Sequence, residues 1–456
     1  MNKIDLYHKI PYGLKVTAAS LWGLYLNWWR YGTDTEKLVT EFIDRDTWTF
    51  ENLQKYQNEK LSMVLHHAAT KIPYYQDQWN FRRRKGDKAS WDLLENWPIL
   101  KKEDVRKQAK SFIDPNGRCY YLEHTSGTTG TPLTLYQNRK TLHYWYAAYE
   151  ARIRRWNGFT LHDRWAILGG QLVASIHRPN PPFWVWNQTS NQLYLSAYHI
   201  NKMNTPAYMN ALEKHKVKYL VGYPSSISAL AEFALESNHQ INSIQTVISN
   251  AEPLFEYQRN LISKAFNCEV VNSYGLSELV CAASECAYGL MHVWPEIGFI
   301  EIFDDDTDDL LPNQATGRIV STGLINLAMP LIRYETGDRG ALVKKHCSCQ
   351  RNFLTLEKIE GRCDDVIITP DGRKIGRLDP VYKADIPIRE AQIVQEKINE
   401  ITLRFVPSSG YDHNQQLIER LENHIGKNMK ITLEPVNSIP RSSNGKFRAV
   451  ISKVKK

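Results

Sequence analysis

Short apolar runs alternate with stretches of helical spacing through the middle of the chain. The runs of strand character lie at residues 165–168, 219–222, 246–249 and 269–272. Between the second and the third of them, apolar residues recur at intervals of three and four, which predicts a helix over residues 225–236. This alternation is typical of a mainly parallel sheet flanked by helices, and it indicates an α/β fold.

The pattern differs on either side of this region. Residues 1–115 show mainly helical spacing, whereas the chain becomes β-rich from Phe299 onward. In that β-rich part the alternation of apolar residues predicts strands at residues 300–303, 317–320 and 330–334.

The last part of the chain has the pattern of a separate small domain. A strand at residues 400–406, a helix at 415–425 and a strand at 430–436 form a β-α-β unit typical of a small α+β domain. We therefore divide the chain into a mainly helical region, a core and a C-terminal domain. Their bounds are 1–115, 116–364 and 365–456.

Residues 14–31 are rich in large aromatic and aliphatic side chains, with Lys15 and Arg30 near the ends. Such a segment is either an interfacial helix at a membrane surface or a helix packed on its own domain. No run of about 18 apolar residues occurs, so we expect no membrane-spanning helix.

Composition narrows the class of protein. The chain has 456 residues, of which 42% are hydrophobic and 23% charged, and these values exclude a disordered or fibrous protein. The formal charge of +8 suits anionic partners such as a nucleotide, CoA or a membrane face, and equally an ordinary soluble enzyme. No nucleic-acid-binding module is recognisable, so we expect no nucleic-acid partner. Seven cysteines without disulfide-framework spacing indicate a reducing, cytoplasmic compartment.

The first segment that could bind a ligand or take part in catalysis is a loop rich in hydroxyl groups and glycine between two strand-like runs. It reads Thr125, Ser126, Gly127, Thr128, Thr129, Gly130, Thr131, Pro132. Glycine allows close backbone approach, and hydroxyl and N–H groups donate hydrogen bonds to anionic oxygens. The composition therefore predicts a phosphate-binding loop, although the lysine of a Walker A motif is absent.

Two further segments suit a nucleotide. In the first, Tyr274 offers a ring that can stack on adenine, Gly275 allows close approach, and the carboxylate of Glu278 can hold Mg²⁺ beside the phosphates. In the second, Asp338 follows Gly337 at a turn, and a single carboxylate there can accept hydrogen bonds from both ribose hydroxyls.

These segments, together with residues 249–253, 361–365 and 440–448, occur in a fixed order that resembles the signature set of the adenylate-forming superfamily. The finer similarity is to the branch of phenylacetate-CoA ligases and CapK-type polysaccharide-biosynthesis proteins. The resemblance implies a large adenylation domain of several subdomains with mainly parallel sheets, followed by a mobile α+β lid domain. It also implies ATP and Mg²⁺ as cofactors, with CoA as one candidate acceptor.

The resemblance also assigns roles to individual residues. Thr128 and Lys446 would act on the reacting phosphate, the other residues of the loop would bind phosphate oxygens, and Glu278 would bind Mg²⁺. Arg362 would contact ribose or phosphate beside Asp338, and Asp364 or Asp365 would be the hinge of the lid. The adenine slot would be formed by Asn250, Ala251, Glu252, Pro253, Asn272, Ser273, Tyr274 and Gly275.

A lysine on a domain-closing loop suits this chemistry. Attack of a carboxylate on the α-phosphate of ATP builds up negative charge, and a cation that arrives only for that step stabilises the transition state more than the ground state. Lys446 lies in a small polar segment after the strand predicted at residues 430–436.

A second candidate site consists of cysteine and histidine. Cys286 and His292 lie on either side of a glycine turn, and Cys347 and Cys349 follow more than fifty residues later. Three thiolates and one imidazole are a recognised set of ligands for structural zinc. Cys281 and His346 are competing ligands.

The expected reaction joins an acid to an acceptor. Mg-ATP and a carboxylic acid would give an acyl-adenylate and pyrophosphate, and a thiol, an amine or a sugar would then displace AMP. Similarity of residues 361–381 to CapK-type proteins favours bacterial surface-polysaccharide synthesis, in the cytoplasm or at the inner face of the membrane in contact with an assembly complex. The alternatives are a catabolic aryl- or fatty-acyl-CoA ligase and a non-catalytic scaffold. Residues 178–199 either shape the acceptor pocket or serve packing.

Overall fold

A computed structural model of the protein describes residue 7 and residues 9–117, 119–125, 133–175, 178–239, 241–362, 367–370, 374–375, 386–426, 428–441 and 447–454. Ser126, Gly127, Thr128, Thr129 and Gly130, both candidate hinge residues Asp364 and Asp365, and Lys446 lie outside the described residues. The side chain of Arg362 is likewise not described.

Helices dominate the first hundred residues, as predicted. Thr49 caps the helix Phe50–Lys71 by accepting a hydrogen bond from the N–H of Asn52, and Asn138 caps the helix Arg139–Tyr149 in the same way. Residues Glu150–Arg154 continue the second of these helices as a π-helical turn. In chain order the α-helices of the described part are α1 Tyr12–Arg30, α2 Thr35–Asp44, α3 Phe50–Lys71, α4 Pro73–Arg84, α5 Lys102–Lys107, α6 Arg139–Tyr149, α7 Thr205–Lys214, α8 Pro224–Glu236, α9 Glu256–Phe266 and α10 Asn414–Ile425.

The strands form one large sheet, one small sheet and two hairpins. The strands of the first 362 residues are β1 Tyr121–His124, β2 Thr134–Gln137, β3 Trp165–Gly169, β4 Trp184–Asn187, β5 Gln192–Ser196, β6 Tyr219–Gly222, β7 Thr246–Ser249, β8 Glu269–Gly275, β9 Ala282–Glu285, β10 Met291–Val293, β11 Gly298–Phe303, β12 Gly317–Gly323, β13 Tyr334–Val343 and β14 Thr355–Arg362. The later strands are β15 Ile367–Ile368, β16 Lys374–Ile375, β17 Ile388–Lys397, β18 Glu400–Pro407, β19 Lys430–Pro435 and β20 Val450–Ser452.

The large sheet has 12 strands in the order β11-β12-β13-β14-β10-β9-β8-β7-β6-β3-β5-β4. Parallel pairing is confined to the run β8-β7-β6-β3-β5, and every other pair in this sheet is antiparallel. The α/β class is therefore confirmed, but the prediction of a mainly parallel sheet needs correction, because the sheet is mixed. The physical reason is the chain after β8, where most connections between strands are too short for a crossover helix.

One predicted strand is wrong. Residues 330–333 are not extended in the sheet, and β13 begins only at Tyr334. Arg333 has a φ of 48°, in the left-handed region, which a strand cannot accommodate. Its guanidinium forms two hydrogen bonds with Glu301, at 2.6 and 3.0 Å, and these contacts help to hold the turn.

Helix α1 covers the β4 edge of the large sheet. Gly23 packs closely against the end of β4. A Cβ added to Gly23 would come within 2.4 Å of side-chain atoms of Asn187 and Thr189, so only glycine permits this approach. Ser20 and Asn27 also bond to Thr189. The outward face is apolar and exposes Leu14, Leu21, Trp22, Leu24, Tyr25 and Trp28. Within the described part of the chain, no helix is long and apolar enough to cross a membrane.

The C-terminal residues build a smaller unit with its own apolar core. Its sheet has 4 strands in the order β19-β18-β17-β20, and α10 packs on it through Leu417, Leu421 and Ile425. This α and β content confirms the class predicted for the C-terminal domain. The predicted helix at residues 415–425 and the strands at 400–406 and 430–436 are confirmed within one residue at each end.

A buried charge network ties α6 to the rest of the large domain. The guanidinium of Arg152 is fully buried and pairs with Asp46 and, at 2.7 Å, with Glu296. Asp46 also accepts a hydrogen bond from Arg351 at 2.8 Å. Removing one member of such a network leaves buried charges without compensation.

We expect Arg152→Met to lower the free energy of unfolding by about 3–5 kcal/mol, because Glu296 would stay buried with a weaker partner. Lys218→Met is the matched control, since Lys218 forms an exposed ion pair with Asp163 and should change stability by about 0.5 kcal/mol or less. Urea unfolding of both variants measures the difference. Equal midpoints for the two variants would contradict a stabilising role for the network.

Candidate functional site

Two neighbouring parallel strands bring the predicted adenine-slot segments together. The hydroxyl of Ser249 at the end of β7 donates to the Asn272 side chain at 2.7 Å, and the Ser273 hydroxyl donates to the Ser249 carbonyl at 2.8 Å. Because parallel strands end at the same edge of a sheet, residues 250–253 and 272–275 lie side by side there.

Tyr274 and Asp338 are joined directly. The Tyr274 hydroxyl donates a hydrogen bond of 2.8 Å to Oδ2 of Asp338, and the backbone N–H of Asp338 donates one of 3.1 Å to the Thr336 hydroxyl. Burial, followed by the neighbouring carboxylate, raises the pKa of Tyr274 well above its usual value, so the phenol stays a donor. Arg362 of β14 pairs with Asp338 of β13 in the sheet register. The backbone of Arg362, which is also a predicted site residue, therefore lies beside Asp338.

Asn250 leaves a polar atom for a ligand. Its side-chain oxygen is buried and has no hydrogen-bond partner among the described residues. Ala251 follows with a φ of 62°, in the left-handed region, where strained backbone is frequent at binding sites. An exocyclic amino group such as that of adenine would satisfy the Asn250 oxygen.

Both segments open into a cavity of about 300 Å³. One side is formed by Asn250, Ala251 and the residues from Ser273 to Ser277. The remaining walls are largely aromatic, with a few polar groups among them. They consist of Leu26, Trp29, Arg30, Tyr121, Glu123, Gln137, Leu142, Trp145, Tyr146, Tyr149, Ile153, Leu279 and Trp294. A cavity that combines aromatic walls with polar groups is typical of a small-molecule site.

Glu278 has partners that the sequence did not suggest. Its Oε1 accepts hydrogen bonds from Lys102 at 2.9 Å and from the Tyr334 hydroxyl at 2.8 Å. Among the described residues Oε2 accepts none, so one oxygen remains for a cation. Binding of Mg²⁺ at Glu278 stays a prediction, and Lys102 is the positive charge that would compete with it.

Thr125 closes the base of the predicted phosphate loop. Its hydroxyl oxygen accepts a hydrogen bond from the Leu133 N–H at 3.0 Å, and its own N–H donates to the Leu133 carbonyl at the same distance. The loop between them joins β1 and β2, which pair antiparallel. The residues from Ser126 to Gly130 lie outside the described part, so their phosphate contacts stay a prediction.

Glu252 contacts the C-terminal domain. One oxygen of its carboxylate accepts a hydrogen bond from the Phe447 N–H at 2.8 Å, and the other accepts one from the Ser225 N–H at 3.2 Å. Burial raises the pKa of Glu252, whereas the Phe447 and Ser225 donors oppose that shift. Sequence reasoning placed Glu252 in the adenine slot, but unlike Asn250 and Ala251 it does not line the cavity. Pro253 does not line it either.

The cysteine and histidine pattern also comes together, away from the cavity. The ligand atoms of Cys286, His292, Cys347 and Cys349 all lie within 4.8 Å of one another. Sγ of Cys286 is 3.6 Å from Sγ of Cys347, and Sγ of Cys349 is 3.2 Å from Nε2 of His292. Bonds of 2.0–2.3 Å to a tetrahedral zinc place ligand atoms roughly 3.3–3.8 Å apart, and these two distances lie within or close to that range. The competing candidates Cys281 and His346 are not members of this cluster.

The segment at residues 178–199 packs into the large sheet, and its Pro182, Trp184 and Trp186 line a second cavity. It contributes the edge strand β4 and the neighbouring strand β5. Phe183 is fully buried and stacks on His199, whose ring nitrogens bond to Ser196 and to the Ser175 carbonyl. Residues of this segment do not line the described part of the cavity.

Comparison with known proteins places the chain in one family. Residues 51–329 match the AMP-binding enzyme family, and residues 367–453 match the CapK C-terminal domain. Protein CapK of Staphylococcus aureus is 26% identical over 415 residues, covering 89% of this chain and 90% of that protein. Phenylacetate-coenzyme A ligase of Thermus thermophilus is 24% identical over 451 residues, covering 88% and 96%.

A solved structure supports the fold. A crystal structure of 2-hydroxyisobutyryl-CoA ligase in the postadenylation state, in complex with R3-HIB-AMP, superposes with a TM-score of 0.68 at 21% identity. The match covers 90% of this chain and 91% of that one. The predicted resemblance to adenylate-forming ligases is confirmed by these matches, and so is the prediction of an enzyme.

We expect Tyr274→Phe to weaken ATP binding about tenfold, because the loss of one hydrogen bond to a charged group is worth roughly 1.5 kcal/mol. Without that bond Asp338 is no longer oriented toward a ribose. Calorimetry with ATP and with 2′,3′-dideoxy-ATP measures the effect, which should be much smaller for the dideoxy nucleotide. Tyr288→Phe, at an exposed position, is the control. An equal loss for both nucleotides would contradict a role of Tyr274 in ribose binding.

Proposed function

The chain belongs to the AMP-binding enzyme family, and we propose that it is an AMP-forming acid–CoA ligase that activates an acid bound in the aromatic cavity. In the first step a carboxylate oxygen attacks the α-phosphorus of ATP, and the bond to pyrophosphate breaks. In the second step the CoA thiol attacks the acyl carbon, AMP leaves, and the thiol proton is released to solvent.

One observation carries the proposal. The buried oxygen of Asn250 and the Tyr274–Asp338 pair form a nucleotide-sized set of groups at the edge of a cavity whose other walls are aromatic. A nucleotide and an acid bound in this arrangement would have their reacting groups next to each other, which is the main requirement for joining them.

The groups predicted to act in the first step have separate tasks. The loop that Thr125 closes, with Thr128, would bind the phosphates, and Lys446 would stabilise the charge of the transition state. Mg²⁺, when bound, would neutralise phosphate charge, and Oε2 of Glu278 is the oxygen that would hold it. The Glu252–Phe447 hydrogen bond supports this assignment, because Phe447 directly follows Lys446 in the chain.

The pathway proposed for the product is bacterial surface-polysaccharide synthesis. The match of residues 367–453 to the CapK C-terminal domain and the relative from Staphylococcus aureus support it. In that pathway an amine or a sugar hydroxyl could take the place of the CoA thiol. A catabolic aryl-CoA ligase is the second candidate, favoured by the phenylacetate-CoA ligase relatives and by the aromatic cavity.

We expect pyrophosphate release from Mg-ATP with at least one acid of a panel of aromatic, fatty, amino and uronic acids. Lys446→Ala should lower that rate about 100-fold or more, since removing one group that stabilises the transition state typically has this effect. Lys453→Ala is the matched control, because Lys453 forms an exposed ion pair with Glu396 and should keep the full rate.

Adding CoA, amines or sugars to the active acid then identifies the acceptor by mass spectrometry of the product. Pyrophosphate release that survives Lys446→Ala would contradict the role of that lysine. No release with any acid, together with no ATP binding by calorimetry, would overturn the ligase proposal and favour the scaffold.

We also propose that the cluster of Cys286, His292, Cys347 and Cys349 binds a structural zinc ion. The two sulfurs at 3.6 Å are too far apart for a disulfide bond of about 2.05 Å, and their spacing suits two ligands of one metal. The cluster joins β9–β10 to the segment before β14, and His292 packs against Trp156 and Phe353 beside the Arg152 network. Its role would therefore be stability.

The purified protein should contain about one zinc ion per chain, because four protein ligands close a structural site. Cys347→Ser should abolish zinc binding and lower the melting temperature by about 5 °C or more, as the site contributes to folding. Elemental analysis and thermal unfolding measure the two effects. Cys119→Ser, at an exposed cysteine, is the control. Wild-type protein without zinc after growth in zinc-supplemented medium would contradict the assignment.

A further inference from the structure

Helix α1 supplies one wall of the aromatic cavity. Leu26, Trp29 and Arg30 line it, and they come from a helix that precedes the residues matching the AMP-binding family. This wall therefore lies outside the part of the chain that matches the family model.

Arg30 brings a positive charge to that wall. Its guanidinium lies 4.5 Å from the centre of the Tyr146 ring, and the phenols of Tyr31, Tyr121 and Tyr194 surround it at longer range. Among the described residues it makes no hydrogen bond and no ion pair within 4.0 Å. The pKa of Arg30 is raised, since these phenols outweigh the opposing effect of burial, so the group is always charged.

Glu123 also lines the cavity and is the acidic group that acts on Arg30 electrostatically. It does not reach Arg30 closely enough for an ion pair, and burial raises its pKa. The cation is thus compensated by a ring face and a distant carboxylate. The guanidinium is partly exposed at the cavity wall, so its N–H donors can bind an acceptor group of a ligand there.

We propose that Arg30 binds a second acceptor group of the acid substrate, so that the substrate class is an aromatic acid carrying a ring hydroxyl or a second carboxylate. This inference rests on the proposed ligase function. The first carboxylate faces the nucleotide, the ring packs among Trp29, Trp145 and Trp294, and the acceptor group meets the guanidinium. Arginine suits this task because its planar fork binds a carboxylate with two parallel hydrogen bonds.

The aromatic wall begins where the nucleotide site ends. A Cβ added to Gly275 would lie 3.6 Å from the Trp145 ring, so this tryptophan packs directly behind the strand that carries Tyr274. Trp145 and Trp294 pack on each other with ring centres 5.6 Å apart. A flat substrate that lies against these rings gains dispersion and electrostatic contact over one face.

The test compares acids that differ only in the acceptor group. Pyrophosphate release is measured with phenylacetate, 3- and 4-hydroxyphenylacetate and 4-carboxyphenylacetate, and with the corresponding benzoates. Wild type is compared with Arg30→Met, which keeps an unbranched apolar stem but no N–H donor, and with Arg30→Lys, which keeps the charge. Arg139→Met is the control, because Arg139 stacks on Trp28 of the same helix but does not line the cavity.

For wild type we expect kcat/KM to be about 100-fold or more higher for a substituted acid than for its unsubstituted parent, since a site built to bind a polar group discriminates strongly against its absence. Arg30→Met should remove this preference mainly through KM, while KM for ATP stays unchanged. Arg30→Lys should restore part of it for the dicarboxylic acid.

Two results would overturn the inference. One is equal use of parent and substituted acids by wild type. The other is a preference that Arg30→Met retains, which would make Arg30 a packing residue over Tyr146. Both require an active enzyme, so they differ from the failure of the ligase proposal, in which no acid releases pyrophosphate.

Discussion

The candidate site depends on the double pairing of strand β8. On one side it pairs parallel with β7, and on the other it pairs antiparallel with β9, so it belongs to both halves of the large sheet. Tyr274 lies near its end, and its hydroxyl bonds to Asp338 of β13, in the antiparallel half. The parallel half thus contributes Asn250 and the ring of Tyr274, whereas the antiparallel half contributes the carboxylate. A site of this kind exists only if both halves keep their register.

The parallel strands could be predicted because strands covered on both faces read as continuous apolar runs, and β6 and β7 were predicted with their observed bounds. Strands β4, β5 and β9 were missed. The first two carry polar and aromatic residues at and next to an edge of the sheet, and the third consists of three small residues followed by Glu285, without alternation. The residues before Tyr334 have a composition that favours a strand, but no strand forms there. Arg333 has a left-handed backbone held by its contact with Glu301, and this tertiary contact outweighs the local preference.

Site residues that belong to a local motif could be predicted from the sequence. Side chains that contact them from distant parts of the sequence could not. Tyr274, Asp338 and the four zinc candidates stood out by residue type and spacing, and the structure brings each set together. Lys102 carries no local signal, because it is 176 residues from Glu278 in the chain. The aromatic wall from α1 was visible only as an unexplained apolar segment. The inner face of that segment packs on the domain, as one of the two interpretations predicts, whereas contact of its exposed outer face with a membrane stays a prediction.

The hydrogen bond between Glu252 and Phe447 joins a side chain to a backbone group, and this asymmetry has a consequence for tolerated variation. A backbone N–H is present whatever the side chain at position 447, so nearly all substitutions there leave the donor intact. Proline is the exception, because it has no N–H and fixes φ. The acceptor, in contrast, is lost with most changes at position 252. This contact between the two domains therefore depends on the side chain at position 252 and hardly at all on the one at position 447, whereas the ion pairs of Arg389 with Glu232 and Glu236 depend on side chains from both domains.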